Sequence, residues 1–476
     1  MRVRTQRHCG GFVVWLAGWV LLGVCSSATP LQAERVAAGD PFAVPAGLRT
    51  QVEFWKRIFG EYSSRQVVIH DTLHLDRVYS VIDLRDLAEE GLSAVQSEVY
   101  QRELVAEEKE RVRALLVRLH QVGAEADDLT PEARRIAQLF GTDAEPGEFL
   151  AAAAEDRVRA QAGLGERFAA GIEISRRYLP EMEATFRRAG LPVELTRLPF
   201  VESCFNVRAY SKAGAAGIWQ FMPATARLYM RVDDVVDERR DPMVATRAAA
   251  RHLRRDYEAL GAWPLAVTAY NHGRAGMIRA VAAVGSTDIV QIIRYYDGPA
   301  FKFASRNFYA EFLAALDVER NAARYFGTLR PQVPLRTESV FVPNPVPLRT
   351  LAQRADVAPD TLAALNPALA PDVVEGRLPV PSGYLLHVPG GVAAEVERRS
   401  ANAMAAERSQ LTPKTTAAAT KTKASVGYLR HRVQRGQTLT GIARRYGTSV
   451  AVIKRHNRLG PSARVRTGQS LIIPRG

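Results

Sequence analysis

Between Leu198 and Ala224 the chain reads LPFVESCFNVRAYSKAGAAGIWQFMPA, with Glu202 as its single acid. A carboxyl built into an apolar stretch constrains a fold tightly. Phe200 and Val201 precede it, and Cys204 and Phe205 follow. Low polarity disfavours the charged form of a carboxyl and raises its pKa. An acid that keeps its proton near neutral pH can give it to a leaving oxygen. The Gly- and Ala-rich turn that follows, Ala213 to Gly217, lets backbone approach a ligand closely. The setting alone leaves an ordinary carboxylate at a helix end as an open alternative.

Further pieces follow in order: S-x-x-G-A-x-G-I-W-Q-F-M-P (Ser211 to Pro223), D-E-R-R-D-P (Asp237 to Pro242) and A-Y-N (Ala269 to Asn271). Together with the E-S pair Glu202-Ser203 they make an ordered set within about 70 residues, far more specific than any one motif. The set resembles the lytic murein transglycosylases, whose catalytic domain is goose-type-lysozyme-like. It is most similar to the membrane-bound lytic transglycosylase D subgroup.

That resemblance implies a one-carboxyl mechanism. Glu202 protonates the oxygen between N-acetylmuramic acid and N-acetylglucosamine. The sugar's acetamido group helps to stabilise the positive charge. The Glu202 carboxylate then takes the proton of the 6-hydroxyl as it closes onto the anomeric carbon, leaving a 1,6-anhydromuramic end. Most glycosidases use two carboxylates, but no second acid lies within the motifs near Glu202. The resemblance also implies that Ser211, Gln220 and Met222 line the cleft, that Tyr270 holds the Glu202 carboxyl by a hydrogen bond, and that Asn271 supports the turn or the substrate. Core packing is the alternative for Tyr270 and Met222. Trp219 reads as structural, and Cys204 as an apolar filler rather than a nucleophile.

The chain begins with Arg2, Arg4 and Arg7 and then the apolar run Phe12 to Val24, which reads as a signal peptide over residues 1–33. The protein is expected to be exported to the periplasm. The competing reading is a lipid anchor on Cys25, giving outer-membrane association. Cys9 and Cys25 fall in the signal region, which leaves Cys204 unpaired and no disulfide framework.

The fold class expected is mainly α. Residues 34–165 read as a helical N-terminal region, with a stripe through Val112, Leu115, Leu116 and Leu119 and a helix start at Thr130-Pro131. Arg65 to His70 is more strand-like. Residues 166–330 read as the lysozyme-like domain, in which Asp241-Pro242 caps and opens a helix. After a proline-rich stretch, His431 to Pro474 shows strand, turn, helix, helix ending in Asn, and strand ending in Ile-Pro. This resembles the LysM module, a β-α-α-β glycan binder, and defines a domain over 430–476. The resemblance places glycan contacts at Gly436, Thr438, Leu439 and Asn457.

A shift of 91 residues aligns Leu348, Leu351, Ala352, Arg354 and Asn366 with Leu439, Ile442, Ala443, Arg445 and Asn457. Residues 338–390 are therefore expected to be a degenerate LysM-like module, with Asn344-Pro345-Val346 in place of Gly436-Gln437-Thr438. Residues 392–426 read as a linker, its first part a charged helix from Val392 to Ser409.

Charge is local. From Val426 to the C-terminus there are eleven Lys or Arg and no Asp or Glu, against +14 for the whole chain. With the export signal, this basic face points to an anionic wall glycan rather than nucleic acid. His70, Asp71, His74 and Asp76 lack a recognised ligand spacing, so neither metal nor cofactor is expected. The reading is a peptidoglycan-cleaving lytic transglycosylase. Its rivals are a muramidase that uses water and a wall-binding protein with a vestigial enzyme domain.

Overall fold

The structure is a computed structural model that describes residues 40–85, 94–411, 428–434, 436–446, 448–457, 459–460 and 465–474. The signal peptide, Cys9, Cys25 and residues 412–427 lie outside the described residues. Two compact units divide at Ser400/Ala401.

The first unit begins with the helix Arg49–Gly60, which buries Val52, Phe54, Trp55, Ile58 and Phe59. Their spacing makes one helical face. It packs not on its neighbours in sequence but on the long helix Phe303–Arg320, where Trp55 Nε1 donates to Asn307 Oδ1 at 3.3 Å. A three-stranded antiparallel sheet follows, with β1 (Gln66–Asp71) between β2 (Val78–Asp83) and β3 (Val158–Ala162). Side chains alternate across a strand. Val68 therefore joins the main core, while Val67 and Ile69 join a second core with Val112, Leu116 and Leu119.

The N-terminal region is thus not helical throughout, and its boundary at 165 does not separate two cores. β2 and β3 are five or six residues long and only partly buried. Strands that short give little pattern to read in sequence. The expected helix start holds: Thr130 Oγ1 accepts from Ala133 N at 3.1 Å, with Pro131 in the first turn. Asp71 accepts from Arg157, from Tyr79 at 3.0 Å and from the amides of Leu73 and His74. Among the described residues no group of three or more His, Cys, Asp or Glu is placed to hold a metal ion.

The main core collects helices from Gly165–Ser175 to Phe303–Arg320. Asp241 caps the helix Pro242–Leu260, as its Oδ1 accepts from Met243 N and Val244 N at 2.8 and 2.9 Å.

Residues 337–389 form a β-α-α-β arrangement with a short further helix, Pro371–Val374, before the last strand. β4 (Thr337–Phe341) and β5 (Leu385–Pro389) pair antiparallel around helices Leu348–Ala355 and Pro359–Leu365. The second unit repeats this with β6 (Tyr428–Arg432) and β7 (Ser470–Pro474) and helices Leu439–Arg445 and Val450–His456. The register agrees: Ser339 faces His387 and Arg430 faces Ile472.

The stretch expected as a linker starts with the helix Ala393–Leu411. Its Val396 is fully buried in the core of the first module. Deleting residues 392–476 should therefore destabilise the first unit by about 1.5–3 kcal/mol, the worth of one buried aliphatic side chain. Deleting residues 412–476 should not. Thermal unfolding of the two truncated chains reads the difference.

Candidate active site

Glu202 sits near the end of the short helix Leu198–Ser203. Pro199 in the first turn presets the backbone. The helix stops at Cys204 and Phe205, two consecutive non-glycine residues with positive φ of 48° and 55°. Such backbone is costly and persists only where packing over-determines it. Here Phe205 is buried edge-on against Phe200, 4.6 Å between centroids, and Phe200 stacks on Phe168 at 4.8 Å. Cys204 is the turn residue, and burial pushes its thiol up to about 11. A thiol that keeps its proton is a poor nucleophile, in line with the filler reading.

Glu202 is half-buried. Burial pushes its carboxyl up to about 8, and the charge of Glu311 adds to the rise. Glu311, on the helix Phe303–Arg320, is itself raised to about 8 by burial, with Arg159 of β3 opposing. The Arg159 guanidinium lies 4.1 Å from the Phe303 ring centroid. Glu202 also forms part of the wall of an open cavity of about 1000 Å³, with Val201, Ser203, Asn206, Arg167 and Arg208.

Ser203, the second residue of the E-S pair, donates to the Ile218 carbonyl at 2.9 Å, which ties the Glu202 helix to the 211–221 turn. Within the turn, Ser211 N donates to the Ala215 carbonyl at 2.8 Å, and the Ala215 N–H donates back to Ser211 Oγ at 2.9 Å. Gly217 has φ +74°, and a Cβ there would lie 1.9 Å from the Arg239 carbonyl oxygen. Only glycine meets both conditions. Gln220 also takes positive φ, and its Nε2 donates to Gly217 O at 2.8 Å. Arg239 is buried. It forks onto Asp237 through Nε and Nη2, each at 2.8 Å, while Nη1 donates to Gly214 O and Phe221 O at 2.6 and 3.0 Å.

The sequence-based residues sort unevenly. Met222 is exposed at 44% and free to meet a ligand. Ser211 and Gln220 bond to the turn's own backbone. Trp219 is buried and structural, stacked on Phe186 and bonded to Thr246 Oγ1 at 2.9 Å. The Tyr270 hydroxyl donates to the Trp219 carbonyl at 2.8 Å, not to Glu202 as expected. The backbone just before Gln220 turns that carbonyl toward it. Burial first, and then the Glu202 charge, hold the Tyr270 hydroxyl far above the usual range. Asn271 is exposed, and its Oδ1 accepts from Ser305 at 3.0 Å.

Sequence reasoning missed Glu311, 109 residues from Glu202, and left Arg239 without a task although its motif was noted. The only signal for Glu311 was an acid on the apolar face of a core helix.

In the second unit Gly436 has φ +86° and is exposed. Thr438 Oγ1 accepts from Gly441 N at 3.2 Å, and Leu439 is a buried core residue. Asn457 brackets Ile472, accepting from its N–H at 2.7 Å and donating to its carbonyl at 2.8 Å. Three of the four expected glycan contacts thus have structural tasks.

Residues 181–293 match the family model described as the transglycosylase SLT domain, and residues 431–474 match the LysM domain. The chain therefore carries a transglycosylase SLT domain followed by a LysM domain. It is 29% identical over 311 residues to the membrane-bound lytic murein transglycosylase D of Escherichia coli (strain K12), covering 63% of this chain and 64% of that protein. The same figures hold for that protein from Escherichia coli O6:H1. The chain thus spans just under two thirds of the length of the curated relatives it matches. A solved lytic transglycosylase Slt from Pseudomonas aeruginosa is 20% identical over 32% of this chain and 24% of its own, with a TM-score of 0.24, too low to carry an argument.

Replacing Glu311 by Gln removes a carboxyl whose ionisation raises that of Glu202. The Glu202 carboxyl should then titrate below its present value of about 8 but still above 4.5, because burial is the larger cause. Carbon-13 NMR of labelled Glu carboxyls, assigned with Glu202→Gln, reads the shift. An unmoved titration would show that the two carboxyls do not sense each other.

Proposed function

We propose that this chain is a peptidoglycan lytic transglycosylase that cleaves the β-1,4 bond between N-acetylmuramic acid and N-acetylglucosamine and leaves 1,6-anhydromuramic ends. The observation that carries the reading is Glu202, a carboxyl held protonated to about 8 at the wall of an open cavity. The SLT domain match and the names of the relatives agree with it.

The chemistry follows from the environment. At neutral pH Glu202 has a proton to give to the glycosidic oxygen as the bond to the anomeric carbon breaks. Once the proton has left, the same burial makes the carboxylate a willing base. It takes the proton of the 6-hydroxyl, whose oxygen bonds the anomeric carbon. One carboxyl serves both steps, water is not consumed, and the tether of the 6-hydroxyl supplies proximity. Tyr270, anchored on the Trp219 carbonyl, keeps a lone pair with which to accept from the protonated carboxyl. The exposed Met222 and Asn271 offer an apolar and a polar contact to the sugars.

Glu202→Gln should abolish release of soluble anhydro-muropeptides from wall glycan while leaving the fold intact, since the change is nearly isosteric. Mass spectrometry of the digest checks this and also separates the rivals. Reducing ends would mean a muramidase, and wild-type-like release by the variant would end the Glu202 mechanism.

The LysM domain supports wall attachment, and the basic apolar N-terminus supports export to the compartment that holds the wall. The basic surplus of the last module adds an attraction that salt screens within about 10 Å at 0.1 M. A chain ending at Leu411 should keep cleaving short soluble glycans and sediment less with intact sacculi. The full chain's extra sedimentation should be partly salt-sensitive. Equal sedimentation of both chains would move wall attachment to the first unit.

A further inference from the structure

The two β-α-α-β modules share an internal device and use it differently. Asn366 brackets His387 as Asn457 brackets Ile472: Oδ1 accepts from the His387 N–H at 2.8 Å and Nδ2 donates to its carbonyl at 2.7 Å. Where the last module carries the partly exposed Ile472, the first carries His387. Its Nε2 lies 2.7 Å from Asp241 Oδ2. Asp241 is buried, and its other oxygen caps the helix Pro242–Leu260.

A second attachment lies a few residues upstream. Val236 is fully buried in the core of the first module. It forms an antiparallel bridge with Leu369, flanked by Asp237 N to Ala368 O at 2.8 Å and Ala370 N to Val235 O at 3.0 Å. Between the two attachments sits Arg239, which reaches the other way to the carbonyls of Gly214 and Phe221.

We propose that residues 338–390 act as a positioning strut for the 211–221 turn beside Glu202, with His387 as the positioning residue, and do not present a glycan site. The inference rests on the transglycosylase reading above. Asn366 corresponds to Asn457, one of the positions where the LysM resemblance places glycan contacts, and in the first module the backbone just after Asn366 is already paired with residues 235–237. On the other side of the strut there is no slack. Gly217 packs against the Arg239 backbone with no room for a Cβ, and Arg239 Nη1 holds the Gly214 and Phe221 carbonyls, so a shift of the 237–241 segment bears on the turn.

The test uses the full chain and the variants His387→Ala and His387→Gln, the latter keeping an N–H donor for Asp241. Soluble uncrosslinked glycan strands are the substrate, and hydrogen exchange is followed at the amides of Gly214 to Phe221. His387→Ala should lower kcat roughly 10- to 100-fold, as small misplacements near a reacting centre do. KM should stay within about two-fold, since substrate contacts remain. The turn amides should exchange faster while the helix Phe303–Arg320 stays protected. His387→Gln should restore most of the rate. Wild-type kcat and exchange in His387→Ala would overturn the inference. So would a Gln variant as impaired as the Ala one, or loss of protection along Phe303–Arg320, which would make the module a folding requirement only. A wild-type chain without anhydro products would instead remove the transglycosylase reading, and the exchange data would still decide the strut.

Discussion

The buried guanidinium of Arg239 governs the geometry of this site. Taking a cation out of water is costly unless charge and every donor are met. Asp237 meets the charge bidentately, and Nη1 closes on two carbonyls of the 211–221 turn, Gly214 inside it and Phe221 at its end. Arginine's rigid fork suits this task in a way a lysine's point charge does not. Ser211, Gly217 and Gln220 then fall into place, and the Ser203 hydroxyl links the turn to the helix that carries Glu202. The D-E-R-R-D-P motif is in this sense a bracket: Asp237 pairs, Arg239 holds, Asp241 caps.

The acid itself is made by exclusion rather than by contact. No basic group contributes to the shift of Glu202. The helix that bears it is cut short by two left-handed residues, a strain held by the stack of Phe168, Phe200 and Phe205. Strain beside a desolvated carboxyl is a common companion at reactive sites.

Local signals carried far in this sequence. Glu202 in its apolar run, the Asp241-Pro242 cap, the Thr130-Pro131 start and the repeated β-α-α-β pattern all rest on residues close along the chain, and each is where the pattern put it. What stayed hidden depends on distance. Glu311 meets Glu202 only because two helices pack. β2 and β3 are stabilised by β1 rather than by their own pattern. Val396 looked like part of a charged helix until its partner core was in view. The Tyr270 hydroxyl, expected on Glu202, takes its direction from the carbonyl just before a left-handed Gln220. Motif residues such as Ser211 and Asn457 carry backbone tasks that a motif alone cannot reveal.

Among the groups that burial shifts toward their neutral forms, two carboxyls and two histidines pull on the fold from opposite sides. Glu202 and Glu311 are raised from 4.5 to about 8, so the stability they contribute is full below 4.5 and lost as pH climbs through 8. His70 and His252 are lowered from 6.5 to about 4, so theirs is full above 6.5 and lost as pH falls through 4. Between 4.5 and 6.5 two rising and two falling contributions offset each other, and these groups leave a plateau. Above 6.5 the histidines have nothing more to add, and only the decline remains. Within this set of four, a carboxyl poised to give up its proton near neutrality therefore lies on the alkaline side of the plateau they share.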